Sequence, residues 1–111
     1  MSMDLDNIIE VDLDSIKTHS ISMILYQYDR GLMLRLLNVP QSDEYSIEVE
    51  MCNALDKAVE HTFTYCGDDI EIPDDLLQRG RDLKVYLFAK GDNWGKTLLS
   101  IDVIISRRPS R

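Results

Sequence analysis

Apolar and polar side chains alternate along most of this chain, and a period of two belongs to strands with one buried face. In "YSIEVEMC", Tyr45, Ile47, Val49 and Met51 fall on one side, and Ser46, Glu48 and Glu50 on the other. "VEHTFTYC" repeats the pattern, with Val59, His61, Phe63 and Tyr65 opposed by Glu60, Thr62 and Thr64. "ALDK" between them suits a hairpin loop, so these two strands are expected to be neighbours. "DLKVYLFAK" sets Leu83, Val85, Leu87 and Ala89 on one face, and "KTLLSIDVIIS" sets Leu99, Ile101, Val103 and Ile105 on one face. The turn-rich "GDNWG" at 91–95 joins them into a second hairpin.

Upstream, "SISMILYQY" aligns Ile21, Met23 and Leu25, and "LMLRLLNV" aligns Leu32, Leu34 and Leu36 before Pro40, which cannot donate to a ladder, ends the strand. "IPDDLLQRG" at 72–80 reads as a linking turn. Asp74 and Asp75 are expected to cap a single helical turn, Leu76 and Leu77 to plug the core, and Gly80 to allow a left-handed exit. Helix elsewhere is limited to one turn at "NALDKAV". About seven short strands with turn signals every 8–12 residues predict an all-β fold, an antiparallel β-sandwich of immunoglobulin-like type. Residues 1–15 form an acidic arm or edge strand, and 16–111 a single domain.

A chain of 111 residues, 44% of them hydrophobic, can bury one core without staples. Cys52 and Cys66 are therefore expected to be free, half-buried thiols. The formal charge of -8 leaves no basic footprint for phosphates, so no nucleic-acid partner is expected. The basic cluster of Arg107, Arg108 and Arg111 reads either as a solvated tail or as a contact for an acidic neighbour. Asp4, Asp6, Glu10, Asp12 and Asp14 do not suit a secretory signal, and no apolar run approaches the roughly 20 residues of a membrane span. Folding in a cytosol, with no membrane partner, is expected.

Chemistry is sparse. His19 and His61 lie outside any zinc spacing, so no metal and no cofactor is expected. Paired acids such as Asp68–Asp69 and Asp74–Asp75 read as capping or solubilising groups rather than a glycosidase pair or a calcium loop. No nucleophile elbow, phosphate loop or dinucleotide fingerprint is present, and the chain is read as a non-enzyme. Trp94, the only tryptophan, is either a contact anchor at a loop tip or a lid folded over the end of the domain. Trp94 and Asn93 at this turn, Ile8 and Ile9 in "NIIEVDL", and Arg107 and Arg108 at the exit are the candidate protein-interface residues. The N-terminal segment can add a strand to a neighbour's sheet edge, and removing residues 1–15 is then expected to leave a folded domain that fails to assemble.

"YQYDRGLMLRLLNVP", "YSIEVEMC" and "IPDDLLQRGRDLKVYLFAKGDNWGKTLLSIDVIISRRP" follow one another in an order that resembles the immunoglobulin-like N-terminal module of structural proteins in tailed phages of Gram-positive and gut bacteria. The shared marks are "QYD.G" opening onto a strand, "IPD..L..G" before a strand with a "VY" pair, a Gly/Asp-rich turn, and a basic, proline-containing exit. The resemblance covers residues 24 to 109. It implies a virion protein assembled in the host cytoplasm, placed in the capsid, head fibre, tail or baseplate. It also implies other virion proteins as partners, and a symmetric homo-oligomer is expected. Such modules precede a longer fibre or tail segment, whereas this sequence stops just after "RRPSR", so a small capsid or neck-associated protein is expected beside the fibre role. The alternative is a carbohydrate-binding or host-adhesion module, with Trp94 and either Tyr26 or Tyr28 as its platform.

Overall fold

The computed structural model describes residues 7–109. Arg111 and the acidic residues Asp4 and Asp6 lie outside that range. The described chain is built of strands: β1 (Ile8–Asp12), β2 (Ser20–Tyr26), β3 (Met33–Leu37), β4 (Ser46–Asn53), β5 (Val59–Thr64), β6 (Ile70–Glu71), β7 (Leu83–Lys90) and β8 (Gly95–Ser106). A 3-10 turn at Leu13–Ser15 and one short helix, α1 (Asp74–Gln78), complete it. The strands form a three-stranded sheet in the order β1-β3-β6 and a five-stranded sheet in the order β2-β8-β7-β4-β5.

On β4, β7 and β8 the rows predicted from alternation are the rows that are buried, whereas on β5 Val59, placed in one row with His61, Phe63 and Tyr65, is exposed. Ile47, Val49 and Met51 of β4, Leu83, Val85, Leu87 and Ala89 of β7, and Leu99, Ile101, Val103 and Ile105 of β8 are all shielded from solvent. They share one apolar cluster with Val11, Leu34, Leu36 and Ile70 of the smaller sheet. Burial of this kind contributes about 1.5–3 kcal/mol per large aliphatic side chain, which is why one face per strand decides the fold. Both hairpins form: β4 pairs with β5, and β7 with β8, each antiparallel. In the first loop, Asn53 Oδ1 accepts from the Leu55 N–H at 2.8 Å, and Lys57 takes a left-handed φ of 59°.

The expectation of an antiparallel arrangement needs correction. β1 runs parallel to β3, and β2 runs parallel to β8, so both sheets are mixed. Alternation fixes which face a residue takes, not the direction of its neighbour. Parallel partners need a long crossover, and here each pair is separated by intervening strands. β1 thus pairs within its own chain, and its Val11 reaches the core.

The cysteines depart from expectation too. Cys52 is buried and Cys66 exposed. Met51, Cys52 and Asn53 are buried in succession because both faces of this end of β4 are covered. The register shift there places its extra residue, Glu60, in β5, while β4 stays in unbroken register with β7. The stretch 72–80 forms α1 as an inter-sheet link. Leu76 and Leu77 are fully enclosed, and Gly80 leaves at φ 66°. The expected aspartate cap is absent. Pro73 holds the N-cap position without a side-chain bond, because Asp74 is directed at the Gly31 N–H instead, 3.1 Å away.

Candidate functional site

Three distant segments meet at one end of the molecule, and they carry the polar marks read from the sequence. The Gln27 side chain donates through Nε2 to the Gln78 carbonyl (2.8 Å) and accepts through Oε1 from the Arg108 N–H (3.2 Å). Arg108 Nε donates to the Gln27 carbonyl (2.8 Å), and its Nη2 lies 3.5 Å from Asp29 Oδ1. Arg107 Nε donates to the Gly80 carbonyl at 3.2 Å. "QYDRG", "IPDDLLQRG" and "SRRP" are therefore tied together. Gly80 is required twice over, since a Cβ there would also lie 2.8 Å from Gln27 Nε2. Arg107 and Arg108 are both exposed, and each also bonds back to the domain through its guanidinium group. Gln27 is the residue that sequence reasoning missed. Its partners lie 51 and 81 residues away, a separation no local pattern can announce.

The opposite end of β8 carries Trp94. Its ring meets Tyr45 edge to face with centroids 5.7 Å apart, yet it stays 50% exposed. The Gly91 N–H closes the turn on the Trp94 carbonyl at 2.9 Å, and a Cβ on Gly91 would collide with the indole. Trp94 is thus both folded back and available for contact, with Asn93 exposed beside it. It does not join Tyr26 or Tyr28. Tyr26 sits in register with Ser106 at the far end of β8, about 36 Å from Gly95 at about 3.3 Å per residue. That separates Trp94 from the tyrosine expected to share its platform. Ile8 and Ile9 lie in β1 in register with Met33 and Leu34, partly covered, and sit on neither end surface.

Other polar groups act as braces. Arg35 grips Asp69 through two bonds of 2.9 Å and approaches Glu10 at 3.5 Å, tying β3 to the turn before β6 and to β1. The bond from Arg35 lowers the Asp69 carboxyl below the usual carboxylate range, and the same bond, with the charge of Asp69, raises the Arg35 guanidinium. Arg79 of α1 is bonded to Glu60 of β5 and lies 3.4 Å from Asp75, and the Glu60 bond raises its guanidinium. His61 stacks on Phe63, with Nε2 4.0 Å from Asp75. His19 Nδ1 lies 3.3 Å from the Leu98 carbonyl. Burial, then the charges of Glu50 and Glu60, push the Cys52 thiol up, away from the reactive thiolate form.

Among the described residues no three His, Cys, Asp or Glu side chains gather to hold a metal. Among the described residues no buried side-chain nitrogen or oxygen is left without a partner. No described helix is long and apolar enough to cross a membrane. A groove of about 220 Å³ sets the apolar side chains of Leu13, Ile16 and Leu98 beside the polar ones of Asp14, Lys17, Thr18, His19 and Asn38. Compared with known families and with the curated proteins, the chain matches no family model and no curated protein.

Proposed function

We propose that the chain is an immunoglobulin-like β-sandwich acting as a non-enzymatic structural module of a tailed-phage virion, binding other virion proteins within a symmetric oligomer. The observation that carries this reading is the tie among residues 27–31, 72–80 and 106–109. These are the marks whose joint occurrence resembles the phage modules, and their mutual bonding gives a physical reason for them to occur together. Strand order supports the fold part. β1-β3-β6 corresponds to strands A, B and E of an immunoglobulin domain, and β4-β7-β8 to C, F and G. β5 then extends the second sheet as variable-type domains do, and β2 adds an edge beside the last strand. The parallel β1–β3 pair departs from that scheme.

As an assembly module, the protein contacts partners through surface rather than through a pocket, and the half-exposed Trp94 beside Asn93 is the anchor best suited to a partner's cleft. Mass spectrometry of purified particles from the phage that encodes the chain tests the reading. We expect the chain at a fixed copy number relative to the capsid protein, and Trp94→Ala to reduce incorporation of a protein that still folds. Absence from washed particles, or specific binding on a glycan array, overturns it.

A further inference from the structure

Of the four sheet edges among the described residues, three are guarded against further pairing and one is not. β6 is two residues long and carries Glu71. β1 carries Glu10 and Asp12. β5 carries Glu60 and His61, met by Arg79 and Asp75 of α1. Short strands, charges and covering elements are the usual protections of an edge. β2, the remaining edge of the five-stranded sheet, has seven residues and no charge, bulge or proline. It lies within residues 18–28, the longest stretch of the chain free of Asp, Glu, Lys and Arg.

Hydrogen-bond direction shows what that edge offers. The His19 carbonyl accepts from the Ser100 N–H, and the Gln27 N–H donates to the Ser106 carbonyl, so odd-numbered residues face β8. By alternation, the N–H and C=O groups of Ser20, Ser22, Ile24 and Tyr26 point away from the sheet. Ser20 is satisfied by Thr18, whose hydroxyl donates to its carbonyl at 2.8 Å and accepts from its N–H at 3.5 Å. Ser22 and Ile24 have no such local hook. Beside them lies an apolar strip: Ile24 is 59% exposed, Tyr26 49% and Ile104, the register partner of Ile24, 44%.

We propose that β2 is a self-association edge, pairing antiparallel with β2 of a second copy about a two-fold axis at Ile24 and joining two five-stranded sheets into one. Ser22 then faces Tyr26 of the other copy, Met23 faces Leu25, and Ile21 faces Gln27. The outward N–H and C=O groups of Ser22 and Ile24 and the N–H of Tyr26 gain partners. The Tyr26 carbonyl, which already accepts from the Asp29 N–H at 3.2 Å, takes a second bond, and the Thr18 hook on Ser20 is untouched. A charge-free edge suits a charge-free strand, and among the described edge strands β2 itself is the one that offers it, so a second copy is the occupant that matches. Two chains of net charge -8 repel across most of their surfaces, and this edge brings no like charges face to face. Asp102 beside Ser22 is held by Lys84 at 3.4 Å. The inference deepens the oligomeric reading of the proposed function and rests on it for biological purpose, while the physical pairing is tested separately.

Sedimentation equilibrium from micromolar to millimolar chain, with amide exchange followed residue by residue, tests it. We expect a monomer–dimer equilibrium in which the Ser22 and Ile24 amides gain protection as the dimer fills. Ile24→Lys, at an exposed position, sets two lysines opposite each other and is expected to weaken dimerisation by about tenfold or more with circular dichroism unchanged. Ser22→Lys provides the same test should the first variant fold poorly. A wild-type chain monomeric throughout, or a dimer indifferent to both lysines, overturns the pairing. Particle incorporation decides the virion role independently.

Discussion

Asp69 shows how much one carboxylate contributes when a guanidinium meets it with both nitrogens. Its folded-state pKa lies below the unfolded value, so the stabilisation is present above the unfolded pKa, about 4, and is lost as pH falls through the folded value. We expect Asp69→Asn to lower the melting temperature at neutral pH and to flatten the acid limb of the stability curve, with wild type and variant converging once pH falls below the folded-state value. Melting followed by circular dichroism across pH checks this, and parallel curves at every pH would refute it. None of this was legible in "CGDDIEIP", where Asp68 and Asp69 look alike. Only the strand register that carries Arg35 to the turn separates a braced acid from a solvated one. Trp94 was half legible: the turn residues around it announced a hairpin tip, while the Tyr45 contact depends on β4 lying next to β7.

At the scale of elements, the leucine pair of α1 is where a small change has the largest effect. Leu76 and Leu77 are both without solvent contact in a helix too short to hold itself together. Leu76→Ala is expected to cost about 2–5 kcal/mol in chemical denaturation, against well under 1 kcal/mol for Leu55→Ala at the exposed β4–β5 loop. Equal effects would mean that α1 does not seal the core. Hairpins and buried rows could be read because each is written within some ten consecutive residues. The parallel placements of β1 and β2 could not, since a strand's own residues carry no record of its neighbour's direction. The inter-sheet role of "IPDDLLQRG" was readable from Pro73, the leucines and Gly80, but the diversion of Asp74 to Gly31 was not.

For the molecule as a whole, the acidic N-terminal segment belongs to the domain through β1. Removing residues 1–15 therefore takes a strand and the Val11 side chain out of the shared core. We expect a lowered melting temperature and a reduced denaturant midpoint, contrary to the undisturbed domain foreseen from sequence alone. A truncated protein as stable as the full chain would overturn this. The parallel union of β2 with β8 has a mechanical consequence. Tension applied through the residues before β2 and after β8 pulls these two strands lengthwise past each other. The load then falls together on the bonds that the odd-numbered residues make to β8, from His19–Ser100 to Gln27–Ser106, instead of peeling them apart in turn. A module set between two pulling neighbours in this orientation would resist extension as a shear clasp.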